Sequence, residues 1–255
     1  MYEYFSFLFK HIPMTSELEH ETVGARQTRA TQILAAATAL LLRHGYRRIT
    51  MEDVARQAGV GTGTLYLHWK TKETLFETVL LRELVTLWGE LAAWLDEDPA
   101  NALLHRFLGH LLRLVKQRPL AQALFTRDSS LLGKLAQRSV VLQAQPLASG
   151  LQLISALREL GLMRGDIAPD VQAYCFSATW AGFSLIDPLL AGDDRVDLDT
   201  QVAALSHVVR ATFEPASPPG DEALRTHIVP TLRAFLSQAQ AAFEQHIQAR
   251  SLPAR

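Results

Sequence analysis

Between Thr50 and Leu75 the chain reads TMEDVARQAGVGTGTLYLHWKTKETL, and this stretch restricts the possible folds more than any other. Thr50 can cap a helix whose N3 residue, Asp53, completes a short capping box, while Ile49 and Val54 take the two staple positions. That helix is brief, Met51 to Ala58, because Gly59 stops it. Val60 is a buried spacer, and a third helix opens at Gly61 or Thr62 and runs to Trp69, turning Leu65 and Trp69 inward. Two short helices joined by a three- to four-residue turn containing glycine have the spacing of a helix-turn-helix. The glycines also invite a phosphate-loop reading, which needs GxxxxGK[ST] behind an apolar strand. Here an amphipathic helix precedes them and no lysine follows the second glycine. A dinucleotide loop fails too, because Gly61-Thr62-Gly63 lacks the third glycine and the strand.

The surrounding chain supplies a helical scaffold. Arg26 to His44 reads as an amphipathic helix, with Ile33, Ala36, Ala37, Leu40 and Leu41 at i, i+3/4, i+7/8 spacing. A left-handed Gly45 followed by apolar Tyr46 would end it as a Schellman motif. From Thr71, with Lys72 in its first turn, another helix runs to Leu95 and stops before Pro99. Further helices are expected at about 101–117, 119–127, 130–160, 168–190, 199–213 and 221–248, the one at 130–160 kinked by Pro146. Asp98-Pro99, Arg118-Pro119, Gly161 through Gly165, Gly192-Asp193-Asp194 and Pro215 through Gly220 punctuate them. Leu and Ala dominate and no segment reads as a strand, so the fold class is all-α. The expected organisation is a three-helix head over residues 24–72 on a larger helical body over 73–255.

Residues 1–23 stand apart as an N-terminal extension. MYEYFSFLFKHIPM carries Glu3 ahead of its apolar stretch, with no basic start and no small-residue cleavage site, so it makes a poor secretion signal. It is either an added amphipathic arm or upstream codons read through, with Met14 as the start; the second is the expectation. No apolar run approaches the roughly 18 residues of a membrane span, and a cytoplasmic location without membrane contact is expected. The single cysteine, Cys175, excludes an intramolecular disulfide, a cysteine zinc site and a CxxC pair, and is expected to be a buried small hydrophobe.

Charge separates head from body. From Gly24 to Lys72, eight basic residues face only Glu52 and Asp53, giving +6, so the remainder of a chain of net charge −1 carries −7. A basic module on an acidic body suggests a polyanion at one end only.

The residues from Ala58 to Leu75 resemble the DNA-binding signature of TetR/AcrR-type repressors, which commonly read AGVS-x-GTLY-x-HF-x-x-KE-x-L. Ile49-Thr50-Met51-Glu52-Asp53-Val54-Ala55 is similar to that family's second helix. The resemblance covers about residues 26–76; beyond residue 80 only a helical pattern of suitable length remains. Gly61 stands where the family usually has a capping Ser, a loss of a few tenths of a kcal/mol, roughly. Trp69 stands where it has Phe and keeps the packing role. The resemblance implies a ligand-responsive dimeric transcriptional repressor that binds a palindromic operator in double-stranded DNA. It also implies a homodimer in which the last long helices pair with their symmetry mates as a four-helix bundle, the candidates being 168–190, where Ala178, Ala181, Gly182 and Leu185 allow close approach, and 199–213 or 221–248.

The chemistry of the head fits a duplex. Gly63 lets the third helix approach a sugar-phosphate strand, whose phosphates its first N–H groups favour. Thr64 and Tyr66 offer hydroxyls to phosphate oxygens, and Lys72 adds a positive charge nearby. Thr62 and Leu67 would point at base edges in a major groove. Tyr66 could instead be a half-buried aromatic, and His68 either touches phosphate or bonds within the head. Arg29 and Arg47, with Arg48, are secondary phosphate candidates or solvated surface, and Thr50 at the second helix's cap joins the set.

In the body, the resemblance implies a small-molecule cavity. Trp88, Phe107, His110, Phe125, Tyr174 and Trp180 are candidates to line it, with ordinary core as the alternative for each. Few charges interrupt these helices' apolar faces, so a hydrophobic or aromatic effector is expected. No Ser/His/Asp set, metal-ligand spacing or paired carboxylate site emerges from nine scattered histidines and the Asp193-Asp194-Asp197 loop. The expectation is no enzyme, no metal and no cofactor. The alternative function is a helical small-molecule-binding or scaffold protein without DNA binding.

Overall fold

Helix-forming composition and glycine punctuation translate directly into the architecture. The computed structural model describes the backbone of residues 16–138 and 150–250 and the side chains of residues 28–136 and 154–250. The expected N-terminal arm before Met14 and the Pro146 kink lie outside the described residues. Among the described residues every regular element is helical.

The head comprises α1 (Ser16–His44), a 3-10 turn (Tyr46–Arg48), α2 (Met51–Ala58), α3 (Thr62–His68) and the start of α4 (Lys72–Glu97). α1 begins at Ser16 rather than Arg26, and it buries Ile33, Ala37 and Leu41. α2 has the expected bounds and box: the Thr50 amide donates to Asp53 Oδ2 at 2.9 Å, and the Asp53 amide donates to Thr50 Oγ1 at 3.1 Å. The staple pair Ile49 and Val54 is buried.

The Schellman ending belongs to Gly59, not Gly45. Gly59 is left-handed, its amide bonds the Arg56 carbonyl at 3.2 Å, and the Val60 amide bonds the Ala55 carbonyl at 3.0 Å. Gly45 has positive φ but an extended ψ of 153°. Its glycine answers a different demand, since a Cβ there would sit 3.0 Å from the Ser130 carbonyl oxygen of the body.

The body continues through α5 (Leu104–Gln117), α6 (Pro119–Thr126), α7 (Ser129–Leu132), α8 (Leu135–Arg138), α9 (Gly150–Glu159), α10 (Pro169–Leu185) and α11 (Leu198–Thr212). It ends in α12 (Asp221–Ala223), a π turn (Leu224–Ile228) and α13 (Val229–Arg250). The single helix expected over 130–160 is corrected at Gly133, whose φ of 56° and ψ of −132° no α-helix contains. The head packs tightly against this break, since a Cβ on Gly133 would lie 3.2 Å from Tyr46 Cδ1 and 3.3 Å from Arg47 Cγ. The π turn falls ahead of Pro230, where a widened turn relieves the clash of a proline ring with the preceding carbonyls.

α13 packs along α4, α11 along α5, and α10 against α9 and α6. α10 leaves one face unpartnered: Val171, Tyr174 and Leu185 are exposed. Cys175 lies on that face too, so it is exposed rather than buried as expected.

Candidate nucleic-acid interface

α3 is only seven residues long, and it is held by two side chains. Leu65 is fully buried and Trp69, just beyond the helix, is 1% exposed. The Trp69 indole donates to Thr78 Oγ1 at 3.0 Å, and Thr78 in turn donates to the Thr74 carbonyl at 2.7 Å. Trp69 therefore does more than replace a phenylalanine, because it ties the end of α3 to the second turn of α4. A second capping pair, Thr71 with Thr74, starts α4.

With one side so held, α3 turns its other side outward. Tyr66 is 44% exposed and Leu67 72%, while Thr62, Thr64 and His68 are partly exposed. The His68 ring lies 5.4 Å from the Trp69 ring, tilted 34°. No side chain caps α3 at Gly61. Gly63 is exposed, and a Cβ built there meets nothing within 4 Å. The molecule's own packing does not ask for glycine at 63, the second residue of α3. The missing side chain makes sense as room for something outside the chain.

Thr50 makes the expected cap of α2, and Lys72 is engaged inside the head. The Lys72 ammonium donates to the Tyr46 carbonyl at 2.5 Å and lies 4.1 Å from the centre of the Tyr46 ring. Burial, with Lys134 nearby, pushes its pKa down. It is engaged inside the head, where no short sequence pattern could have found its partner. Burial, with Glu73 adding its charge, pushes the Tyr46 phenol well up. Glu73 itself is held below the usual carboxylate range by Lys134, which reaches it from the turn after Gly133. The Thr50 hydroxyl is occupied by Asp53 in both directions. Around these residues Arg29, Arg43, Arg47, Arg48 and Lys70 are exposed, and Arg56 pairs with Asp53.

Of the six candidates for an effector cavity, two share a ring contact. Trp88 is buried, Phe107 is partly buried against the core, and Tyr174 is 77% exposed on α10. His110 stacks on Trp94 with ring centres 4.0 Å apart, and burial followed by Arg113 pushes its pKa down. Phe125 and Trp180 meet edge to face at 5.9 Å. A cavity of about 800 Å³ opens elsewhere, among Arg164, Asp166, His207, Arg210, Glu214 and Pro215. Its charges are largely engaged: Glu214 holds His105 at 2.8 Å, and Asp166 takes both arms of Arg164 at 2.6 Å. None of the six lines it.

Residues 33–79 match the family described as bacterial regulatory proteins, tetR family. The chain is 32% identical over 142 residues to the uncharacterized HTH-type transcriptional regulator YhgD of Bacillus subtilis (strain 168), covering 54% of this chain and 71% of that one. It is 25% identical over 214 residues to the probable acrEF/envCD operon repressor of Escherichia coli (strain K12), covering 79% and 92%. Among solved structures it is similar to the regulator FadR of Bacillus subtilis in complex with stearoyl-CoA, with a TM-score of 0.52 and 17% identity over 70% of this chain and 96% of that one.

Proposed function

The chain belongs to the tetR family of bacterial regulatory proteins, and from that premise we propose that it is a dimeric, ligand-responsive transcriptional repressor that reads a palindromic operator with α3. The observation that carries the reading is the division of α3: Leu65 and Trp69 are buried while Tyr66 and Leu67 stand open beside a glycine that the fold does not need. Thr64 and Tyr66 donate hydroxyl hydrogen bonds to phosphates, and Thr62 and Leu67 meet base edges, Leu67 against a thymine methyl. Arg29, Arg47 and His68 flank the contact. Lys72 and Thr50 contribute by holding the head in shape, Lys72 through Tyr46 and Thr50 through the α2 cap.

One such head covers a short half-site, so two are needed about one helical turn apart, roughly 34–36 Å. The exposed face of α10, with Val171, Tyr174, Ala178 and Leu185, pairs with its symmetry mate, joined by α11. The head of residues 24–72 is seated on the body of 73–255 through the first turns of α4, and the protein works in the cytoplasm; among the described residues no helix is long and apolar enough to cross a membrane. A hydrophobic effector is supported by the Bacillus subtilis relative solved with stearoyl-CoA. No catalytic role, metal or cofactor is proposed.

A gel shift with the DNA upstream of the protein's own coding sequence tests this. The reading expects a retarded complex that added stearoyl-CoA or another hydrophobic ligand releases. No complex at any protein concentration in dilute buffer contradicts it.

A further inference from the structure

Three consecutive residues near the start of α4 serve three different parts of the molecule. Phe76 meets Tyr46 of the head edge-on, with ring centres 5.5 Å apart. Thr78 accepts the indole N–H of Trp69, which closes α3. Between them, Glu77 accepts a hydrogen bond from Arg250 Nε at 2.9 Å, at the far end of the chain. The two side chains are 14% and 15% exposed, and the Arg250 guanidinium also donates to the His246 carbonyl at 3.0 Å, which fixes its direction.

The helix that brings Arg250 there is held along its length. At the other end of α4, Asp96 pairs with Arg233. Midway, the Gln240 side chain reaches over Gly89, where a Cβ would stand 3.5 Å from its Nε2. The pairings run 77 with 250, 89 with 240, and 96 with 233, an antiparallel register that spans roughly 29 Å of α4 at 1.5 Å per residue. Leu236, Ala239 and Phe243, at i, i+3 and i+7, form the buried seam.

We propose that α13 is a brace that sets the tilt of the DNA-reading head, and that Arg250, acting through Glu77, is its positioning residue. The head rests on the first two turns of α4 through Phe76 and Thr78. A nearly buried charge pair between those two contacts resists any roll or bend of that root, because separating it strands a desolvated charge. The apolar seam is non-directional, whereas the charge pair fixes the register of α13 at this position. A two-headed reader needs it, since small changes in tilt alter the distance between two heads. The proposal rests on the reading of the head as a DNA-binding module.

The test uses a duplex selected by the wild-type dimer from a random-sequence pool, then remade with its central spacer one or two base pairs longer or shorter. Arg250→Ala and Glu77→Gln should each weaken binding to the selected duplex roughly three- to tenfold, and each should reduce the penalty for altered spacing. The reversed pair, Glu77→Arg with Arg250→Glu, should restore both. Thermal unfolding identifies any variant that does not fold; Arg250→Lys, which keeps the charge but loses the fork, then carries the same comparison. Wild-type affinity and spacing penalty in the folded variants would overturn the brace. So would a loss that the reversed pair does not restore. Failure of the wild type to select any duplex would instead bring down the DNA-binding reading, and the brace with it.

Discussion

Leu65 and Tyr66 are neighbours with opposite fates, and that contrast was legible in the sequence. Leu65 and Trp69 are one turn apart on the inner side of a short helix, so their burial follows from spacing alone. Tyr66 then has to face outward, where its hydroxyl is free to meet a phosphate. Tyr66→Phe should leave the melting temperature unchanged and weaken operator binding about tenfold or more, the worth of a hydrogen bond to a charged acceptor. Equal affinity in a quantitative gel shift would remove Tyr66 from the interface. Lys72 was not legible in the same way. Its partner Tyr46 lies 26 positions upstream, brought close only by the fold of the head. Lys72→Met should therefore lower head stability by about 1–2 kcal/mol, seen as an earlier unfolding transition. Loss of DNA affinity with unchanged melting would return Lys72 to a direct phosphate role.

Helix boundaries were legible where caps set them and illegible where the fold imposed them. α2 has its expected limits because Thr50, Asp53 and Gly59 act locally. The break at Gly133 could not be read, because the head packs against that glycine only in the folded chain, and glycine alone within a run of leucines is tolerated in a helix. The α2 cap also makes a pH prediction. The Asp53 carboxyl is held below its usual range by the Thr50 amide first and the Thr50 hydroxyl next. Its stabilisation is present above the ordinary carboxylate value and is lost as pH falls through the lowered one. Asp53→Asn should melt about 2–4 °C below wild type at neutral pH. That gap should close on acidification below about pH 4. A gap that persists in acid would mean that the pairing depends on shape and not on charge.

At the scale of the whole molecule, the sequence pointed to three helices as dimer candidates, of which α11 packs along α5 and α13 along α4 within the chain. The segment over 221–248 carries an amphipathic pattern that suits a symmetry mate or its own chain equally well; only the fold shows it laid along α4. α10 keeps Val171, Tyr174 and Leu185 exposed, and large apolar side chains gathered on one helix face mark an interface. Tyr174→Asp with Leu185→Asp should convert a dimer to a monomer in analytical ultracentrifugation and weaken operator binding at least a hundredfold, roughly the loss of linked second-site binding. A dimer that survives both changes would move the interface elsewhere. The effector cavity remained illegible because aromatic spacing does not distinguish a lining from a core; Trp94 and His110 spend their faces on each other. The proposed function rests on contact between the open side of α3 and a duplex. Nuclease protection across a selected duplex, repeated as salt is raised, tests that contact most directly. Two protected half-sites centred roughly 34–36 Å apart, fading steeply with salt and lost with Tyr66→Phe and Leu67→Ala together, are the predicted result. Uniform cleavage in dilute buffer, or full protection by that double variant, would contradict it.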